Sequence, residues 1–145
     1  MRFLVTGSSG FIGSNLVSLL RSKEIEVISV DNKEDDSVES DIRSIQWDLS
    51  GVDSVIHLAA KISVAESFEK KEEYHQVNVE ATKRLFEACR DFRVNRVVFA
   101  SSAAVYGQSM KKIKTVGEES DPESPYAENK IAGEELAMQM SSKNC

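Results

Sequence analysis

A doubly wound α/β fold, a parallel sheet with helices on both faces, is predicted by three features of the sequence. Short β-rich apolar runs alternate with segments whose apolar residues recur at helical spacing. A glycine-rich turn joins the first run to the first helical segment almost without a loop. The chain has 145 residues, enough for one domain with a core and little more.

The elements follow in order. Arg2–Thr6 is a buried strand ended by glycine. Phe11, Ile12, Leu16, Leu19 and Leu20 mark a helix from about Gly10 to Ser22. Ile25–Val30 is a second strand ending at Asp31. The acidic stretch from Asp31 to Asp41 reads as a surface loop, with room for a short strand near Val38–Ile42. Residues 42–51 leave space for about two helical turns at ~1.5 Å per residue, with Trp47 as a packing residue. Val52–Leu58 is a further buried strand. Tyr74, Val77, Ala81, Leu85, Ala88, Cys89 and Phe92 stand three or four apart on one long amphipathic helix. Lys70, Lys71, Glu72 and Glu73 read as its solvated face. Arg96–Ala100 is a strand and Lys111–Glu123 a polar loop. Ser124–Pro125 then opens a last helix running to about Met140, since serine caps well and proline fits the first helical position. No repeat, low-complexity tract or linker interrupts this order, so residues 1–145 read as a single domain.

Composition narrows the function classes. The formal net charge is -6, from 24 acidic and 18 basic residues. That balance argues against a nucleic-acid partner, because phosphate backbones are bound through lysine and arginine excess. A small anionic ligand stays open, since backbone amides can hold one. No apolar stretch approaches a membrane span, and the N-terminus does not read as a signal peptide. The two cysteines, Cys89 and Cys145, lack metal-ligand spacing, and His57 and His75 are too isolated for a metal site. A cytoplasmic location is the expectation.

Thr6-Gly7-Ser8-Ser9-Gly10-Phe11-Ile12-Gly13 lies between strand and helix, the context a dinucleotide-binding turn requires. Gly7 permits the turn, Gly10 lets a pyrophosphate approach, and Gly13 lets the helix pack closely. Asp31 ends the second strand, 18 residues after Gly13. A carboxylate there accepts from the adenosine ribose hydroxyls and repels a 2′-phosphate, which favours NAD over NADP. Lys33 is a mild counter-signal, and Glu34, Asp35 and Asp36 are solvated loop charges. This is the Rossmann form of the predicted fold.

Tyr126 and Lys130 stand at i and i+4, so phenol and ammonium can share one face of the last helix. A nearby cation favours the phenolate, which makes the pair a workable base for taking a proton from an alcohol. Ser101–Gly107 follows a strand at the carboxyl end, where a doubly wound sheet places its ligand crevice. A serine hydroxyl there can bond a reacting oxygen; the plainer reading is a strand end capped by serines.

Together these residues resemble the extended short-chain dehydrogenase/reductase superfamily. Within it they are most similar to the NAD-dependent epimerase/dehydratase family of nucleotide-sugar enzymes, the UDP-glucose 4-epimerases above all. Thr6–Gly13 matches the family's glycine signature, placing Gly7, Gly10, Phe11, Ile12 and Gly13 at the cofactor. Asp31 and Asn32 look like its ribose-binding strand end, and Asp41 and Ile42 like the pair at the adenine ring. His57-Leu58-Ala59-Ala60 is similar to the segment passing under the cofactor, and Asn78 to a helix asparagine of the family, with Ala81 where glycine is common. The resemblance implies that Tyr126 takes a hydroxyl proton, Ser102 orients that hydroxyl, hydride passes to NAD, and Lys130 also binds the nicotinamide ribose. The 4,6-dehydratases carry an acidic pair after the catalytic hydroxyl residue; Ala103 and Ala104 stand there, which disfavours dehydration and leaves an epimerase. A reductase or decarboxylase of the family, a non-catalytic NAD-binding or regulatory module, and an α/β domain with no ligand are the alternatives.

Family members continue past the Tyr–Lys helix with further strands and a C-terminal portion that binds the nucleotide sugar. The expectation is therefore a fragment, truncated before those strands, with a natural minimal domain as the alternative. An unpaired sheet edge predicts self-association, as a homodimer or less specifically. Sedimentation at high protein concentration checks this, and a monodisperse monomer would refute it.

Overall fold

Strand β1, Arg2–Thr6, is the centre from which the sheet is built in the computed structural model, which describes residues 1–32, 38–39, 41–107 and 113–142. Lys33, Glu34, Asp35, Asp36, Lys111 and Cys145 lie outside the described residues. The chain divides into two compact units, residues 1–60 with 84–100, and residues 61–83 with 101–145.

In the first unit, β1 is followed by helix α1, Phe11–Ser22, and strand β2, Glu26–Asp31. A short β3, Val38–Glu39, β4, Ser54–His57, and β5, Arg96–Phe99, complete a five-stranded parallel sheet in the order β3-β2-β1-β4-β5. That is the Rossmann strand order, in which the direction of winding reverses at β1. Helix α1 connects β1 to β2, and helix α4, Ala81–Asp91, lies in the connection from β4 to β5. The right-handed rule for such crossovers sends helices on the two sides of β1 to opposite faces. Strands buried on both faces read as continuous apolar runs, hence Leu4, Val5, Val30 and Val55 are all buried. Val5 packs with Val17 and Leu20 of α1, and Phe3, Leu16, Ile25, Val27, Ile56 and Leu58 surround them.

Both helices of this unit end without glycine. Glu24 (φ 56°) and Arg93 (φ 57°) adopt the left-handed conformation, and the next N–H returns to the helix: Ile25 to Leu20 O at 3.1 Å, Val94 to Cys89 O at 2.8 Å. These are Schellman closures made by residues that pay a steric cost for them.

Residues 42–51 do not form the expected helical turns. Asp41 starts a single turn: its carboxylate accepts from the Arg43 backbone N–H at 2.9 Å, and its carbonyl accepts from Ser44 N at 2.9 Å and Ile45 N at 3.2 Å. Beyond that turn, the chain continues without regular structure to the buried Leu49. Trp47 is half-buried, but its Nε1 has no hydrogen-bond partner among the described residues.

In the second unit, α2, Val64–Glu69, was not signalled by periodicity; Ser63 caps it by accepting from Glu66 N at 3.2 Å. The long predicted helix is broken. Helix α3, Lys71–His75, passes through a π turn, Gln76–Glu80, into α4. The wider turn shifts the buried face: Tyr74, Val79, Ala81, Leu85 and Cys89 are buried, Val77 is only half-buried, and Phe92 is exposed. Lys70, Lys71 and Glu72 are exposed, as a solvated face would be, and two residues of the stretch also make ion pairs. Glu73 accepts from Lys61 Nζ at 2.8 Å, and Lys70 Nζ donates to Glu66 at 2.6 Å. A 3-10 turn, Ala103–Tyr106, and helix α5, Pro125–Ser142, complete the unit. Ser124 caps α5 as its type predicts, accepting from Ala127 N at 3.1 Å.

Candidate functional site

The glycine turn of the first unit is fixed by backbone contacts. Gly7 has φ +70°, and a Cβ on it would lie 2.7 Å from Ala59 N. Gly13 is tighter still, for a Cβ there would lie 2.1 Å from Gly7 O. What Gly13 permits is the approach of α1 to the turn itself, rather than to the sheet at large. Gly10 is the N-cap of α1 in extended conformation, with no side-chain cap. The leading N–H groups of a helix need partners from outside it, and an anion is a good one. Ser8 Oγ and Ser9 Oγ are buried with no hydrogen-bond partner among the described residues. Two orphaned hydroxyls beside an uncapped helix start fit an oxygen-rich ligand such as a pyrophosphate. Phe11 and Ile12, at the start of α1, are 89% and 63% exposed.

Asp31 is 8% exposed, and its Oδ2 accepts from Ser9 N at 3.0 Å. The carboxylate that the sequence offers to a ribose thus also holds the glycine turn, a link between residues far apart in sequence. Asn32 is exposed. The Asp41 carboxylate is bound by the Arg43 guanidinium, whose hydrogen bond holds its pKa below the usual value. Arg43 is anchored in turn by its carbonyl, which accepts from Arg84 Nη2 at 2.6 Å. Ile42 is buried.

Leu58, Ala59 and Ala60 run beside the glycine turn, as the Gly7 contacts require. Thr6 and His57 are register partners on β1 and β4, which brings Thr6 Oγ1 to 2.6 Å from His57 Nδ1. Ala59 N donates to the same Thr6 Oγ1 at 3.2 Å. His57 also stacks on Phe99 and meets Phe86 edge-on, with ring centroids 5.9 and 6.1 Å away. Neither Thr6 nor His57 was picked out as a binding residue, because their pairing is set by strand register.

In the second unit, Tyr126 and Lys130 share a face of α5, as their spacing predicts. They are 8% and 5% exposed, and the Lys130 Nζ lies 5.9 Å from the Tyr126 ring centre. Burial pushes the Lys130 pKa down to about 8. Ser102 Oγ accepts from Ala104 N at 3.2 Å, so the serine caps the 3-10 turn while its own hydrogen remains available to donate. Ala103 and Ala104 lie in that turn.

Asn78 is buried in the π turn and clamps the backbone of Lys61. Its Oδ1 accepts from Lys61 N and its Nδ2 donates to Lys61 O, both at 2.9 Å. Two polar side chains near the Tyr–Lys pair escaped the sequence reading. Asn129 is buried with its Nδ2 lacking a hydrogen-bond partner among the described residues, and Glu134 accepts from Ser101 Oγ. Helical spacing from Tyr126 was the available signal for both. Among the described residues no group of three or more His, Cys, Asp or Glu could hold a metal, and no helix is long and apolar enough to cross a membrane.

Known proteins resemble the chain over nearly its whole length. The chain is 33% identical to a UDP-glucose 4-epimerase of Halalkalibacterium halodurans, covering 94% of this chain and 45% of that one. It is 32% identical to the dTDP-D-glucose 4,6-dehydratase of Homo sapiens, over 92% of this chain and 45% of the relative. A solved structure of MoeE5 in complex with UDP-glucose and NAD superposes with a TM-score of 0.91 at 37% identity, covering 97% of this chain and 49% of that one. The chain thus spans about half the length of the relatives it matches. The family profile covers residues 3–144, and on that match the chain belongs to the NAD dependent epimerase/dehydratase family.

Proposed function

We propose that this chain is the NAD-binding part of a nucleotide-sugar 4-epimerase acting on a UDP-hexose. The buried Tyr126–Lys130 pair on one face of α5 carries the reading, since a phenol and an ammonium so placed have proton transfer as their evident use. The glycine turn and the Ser8 and Ser9 hydroxyls would hold the pyrophosphate, and Asp31 the adenosine ribose. NAD, when bound, supplies a reversible hydride acceptor. Tyr126 takes the proton from the sugar hydroxyl as that carbon is oxidised, and returns it when the sugar is reduced on its other face. Ser102 donates to the same oxygen. Lys130 binds the nicotinamide ribose and keeps positive charge by the phenol.

The human relative favours a 4,6-dehydratase as the second reading. Loss of water needs an acid and a base, and the side chains following Ser102 are the methyl groups of Ala103 and Ala104. That supports epimerisation.

Thermal shift with NAD, NADP, UDP-glucose and UDP-galactose tests the proposal. NAD at about 100 times its Kd should stabilise the fold by about 2.7 kcal/mol, with a smaller response to NADP. Stabilisation by NADP alone would overturn the role of Asp31, and silence towards all four would overturn the whole reading.

A further inference from the structure

We infer that Glu134 is a positioning residue for Ser102, acting through Ser101. The inference rests on the function proposed above and deepens it at the same site. For Ser102 to serve the reaction, its hydroxyl must sit at a fixed place relative to the Tyr126 phenol. Among the described residues, backbone bonds hold the 3-10 turn on its downstream side: Val105 N donates to Ser102 O at 3.2 Å, Gly107 N to Ala104 O at 3.2 Å, and Asp121 N to Val105 O at 2.9 Å. Lys114 Nζ closes that end by donating to Gly107 O at 2.9 Å. None of these bonds reaches α5.

The upstream side is tied differently. Ser101 Oγ donates to Glu134 Oε1, a bond between a hydroxyl and a carboxylate of the kind that is short and strong when the acceptor is ionised. Glu134 stands one helical step of four beyond Lys130 and two beyond Tyr126, so all three lie along one face of α5. The bond therefore joins the residue before the serine to the helix face that carries the phenol. Ser101 is exposed and buries little, so its side chain does more for position than for the core. Displacing a reacting group by about 1 Å can cost 100-fold in rate, which sets what such a strut controls.

Hydrogen exchange and turnover, measured on the whole chain with NAD, test this. Glu134→Ala and Ser101→Ala should each raise exchange at the Ala104 and Val105 amides by about tenfold or more, leaving β1 to β4 unchanged. Glu134→Gln keeps an acceptor oxygen and should restore wild-type exchange. With UDP-glucose, the two alanine variants should lose about 10- to 100-fold in kcat at an unchanged NAD midpoint, and the glutamine variant should recover most of it. Wild-type exchange in both alanine variants would overturn the inference, as would a glutamine variant that behaves like alanine. If Glu134→Ala fails to fold, the exposed Ser101→Ala decides. If the wild-type chain turns over no sugar, the proposed function fails while the exchange comparison still decides the strut.

Discussion

Gly13→Ala should abolish the response to NAD and destabilise the first unit by about 3 kcal/mol, at the upper end of what overpacking costs. The added Cβ would meet Gly7 O at 2.1 Å, Ser8 Cα at 2.8 Å and Gly7 C at 2.9 Å, all backbone atoms that no rotamer change can move. Nor can the turn retreat as a whole. Gly7 already lies against Leu58 and Ala59, and Ser9 N is held by Asp31. The first turn of α1 must therefore lift away, taking its N–H groups out of the proposed pyrophosphate site. Gly10→Ala is the control, because its backbone suits any residue and its Cβ would meet only Gly7 O, at 3.3 Å. That variant should lose under about 1 kcal/mol. Urea midpoints with and without NAD measure both. A Gly13→Ala protein with a wild-type midpoint and ligand response would refute this account of the turn.

Lys130→Met should stabilise the chain at neutral pH by about 2–3 kcal/mol while removing turnover. Burial holds the folded pKa at about 8, against an ordinary value of 10.5. The unfolded chain therefore binds this proton more tightly than the folded chain does, and below pH 8 the folded state carries the full penalty of the difference. The penalty is relieved as pH rises from 8 to 10.5. The wild type should gain stability on the methionine variant through that window, while Cys89, whose thiol burial pushes up to about 12, pulls both down alike as pH rises above the ordinary thiol value. Lys61 and Lys70 work the other way: the hydrogen bonds they donate to Glu73 and Glu66 raise their pKa, so their contributions fade only above the ordinary lysine value. Urea midpoints at pH 7 and 9.5 decide the matter, and a variant less stable than wild type at pH 7 would show that the charge is fully compensated. Under the proposed function, this is stability given up at a residue kept for reaction.

How much of this could be read in advance follows from where each signal resides. Thr6–Gly13 was legible because a strand, a turn and a helix start leave a local trace, and Ser124–Pro125 because capping is local. Tyr126 and Lys130 were legible because four residues of helix always bring two side chains together. The Asp31–Ser9 bond was not, since it depends on β1 and β2 lying side by side. The same holds for Thr6 with His57, whose meeting follows from register. The ends of α1 and α4 gave no sign because Glu24 and Arg93 do what glycine usually does. At residues 42–51, length alone left room for two helical turns, and the chain makes one, begun at Asp41.

The π turn at Gln76–Glu80 shows what an irregularity can be for. A helix that takes in one extra residue over a single turn keeps its downstream face, so the packing of Ala81, Leu85 and Cys89 can be inherited unchanged. The inserted position then works as a local adjuster, turning one side chain inward where regular winding would turn another. Here that side chain is Asn78, spent on the peptide groups of Lys61. A related chain that loses one residue in this stretch should therefore differ from this one by a missing clamp, with its core unaltered.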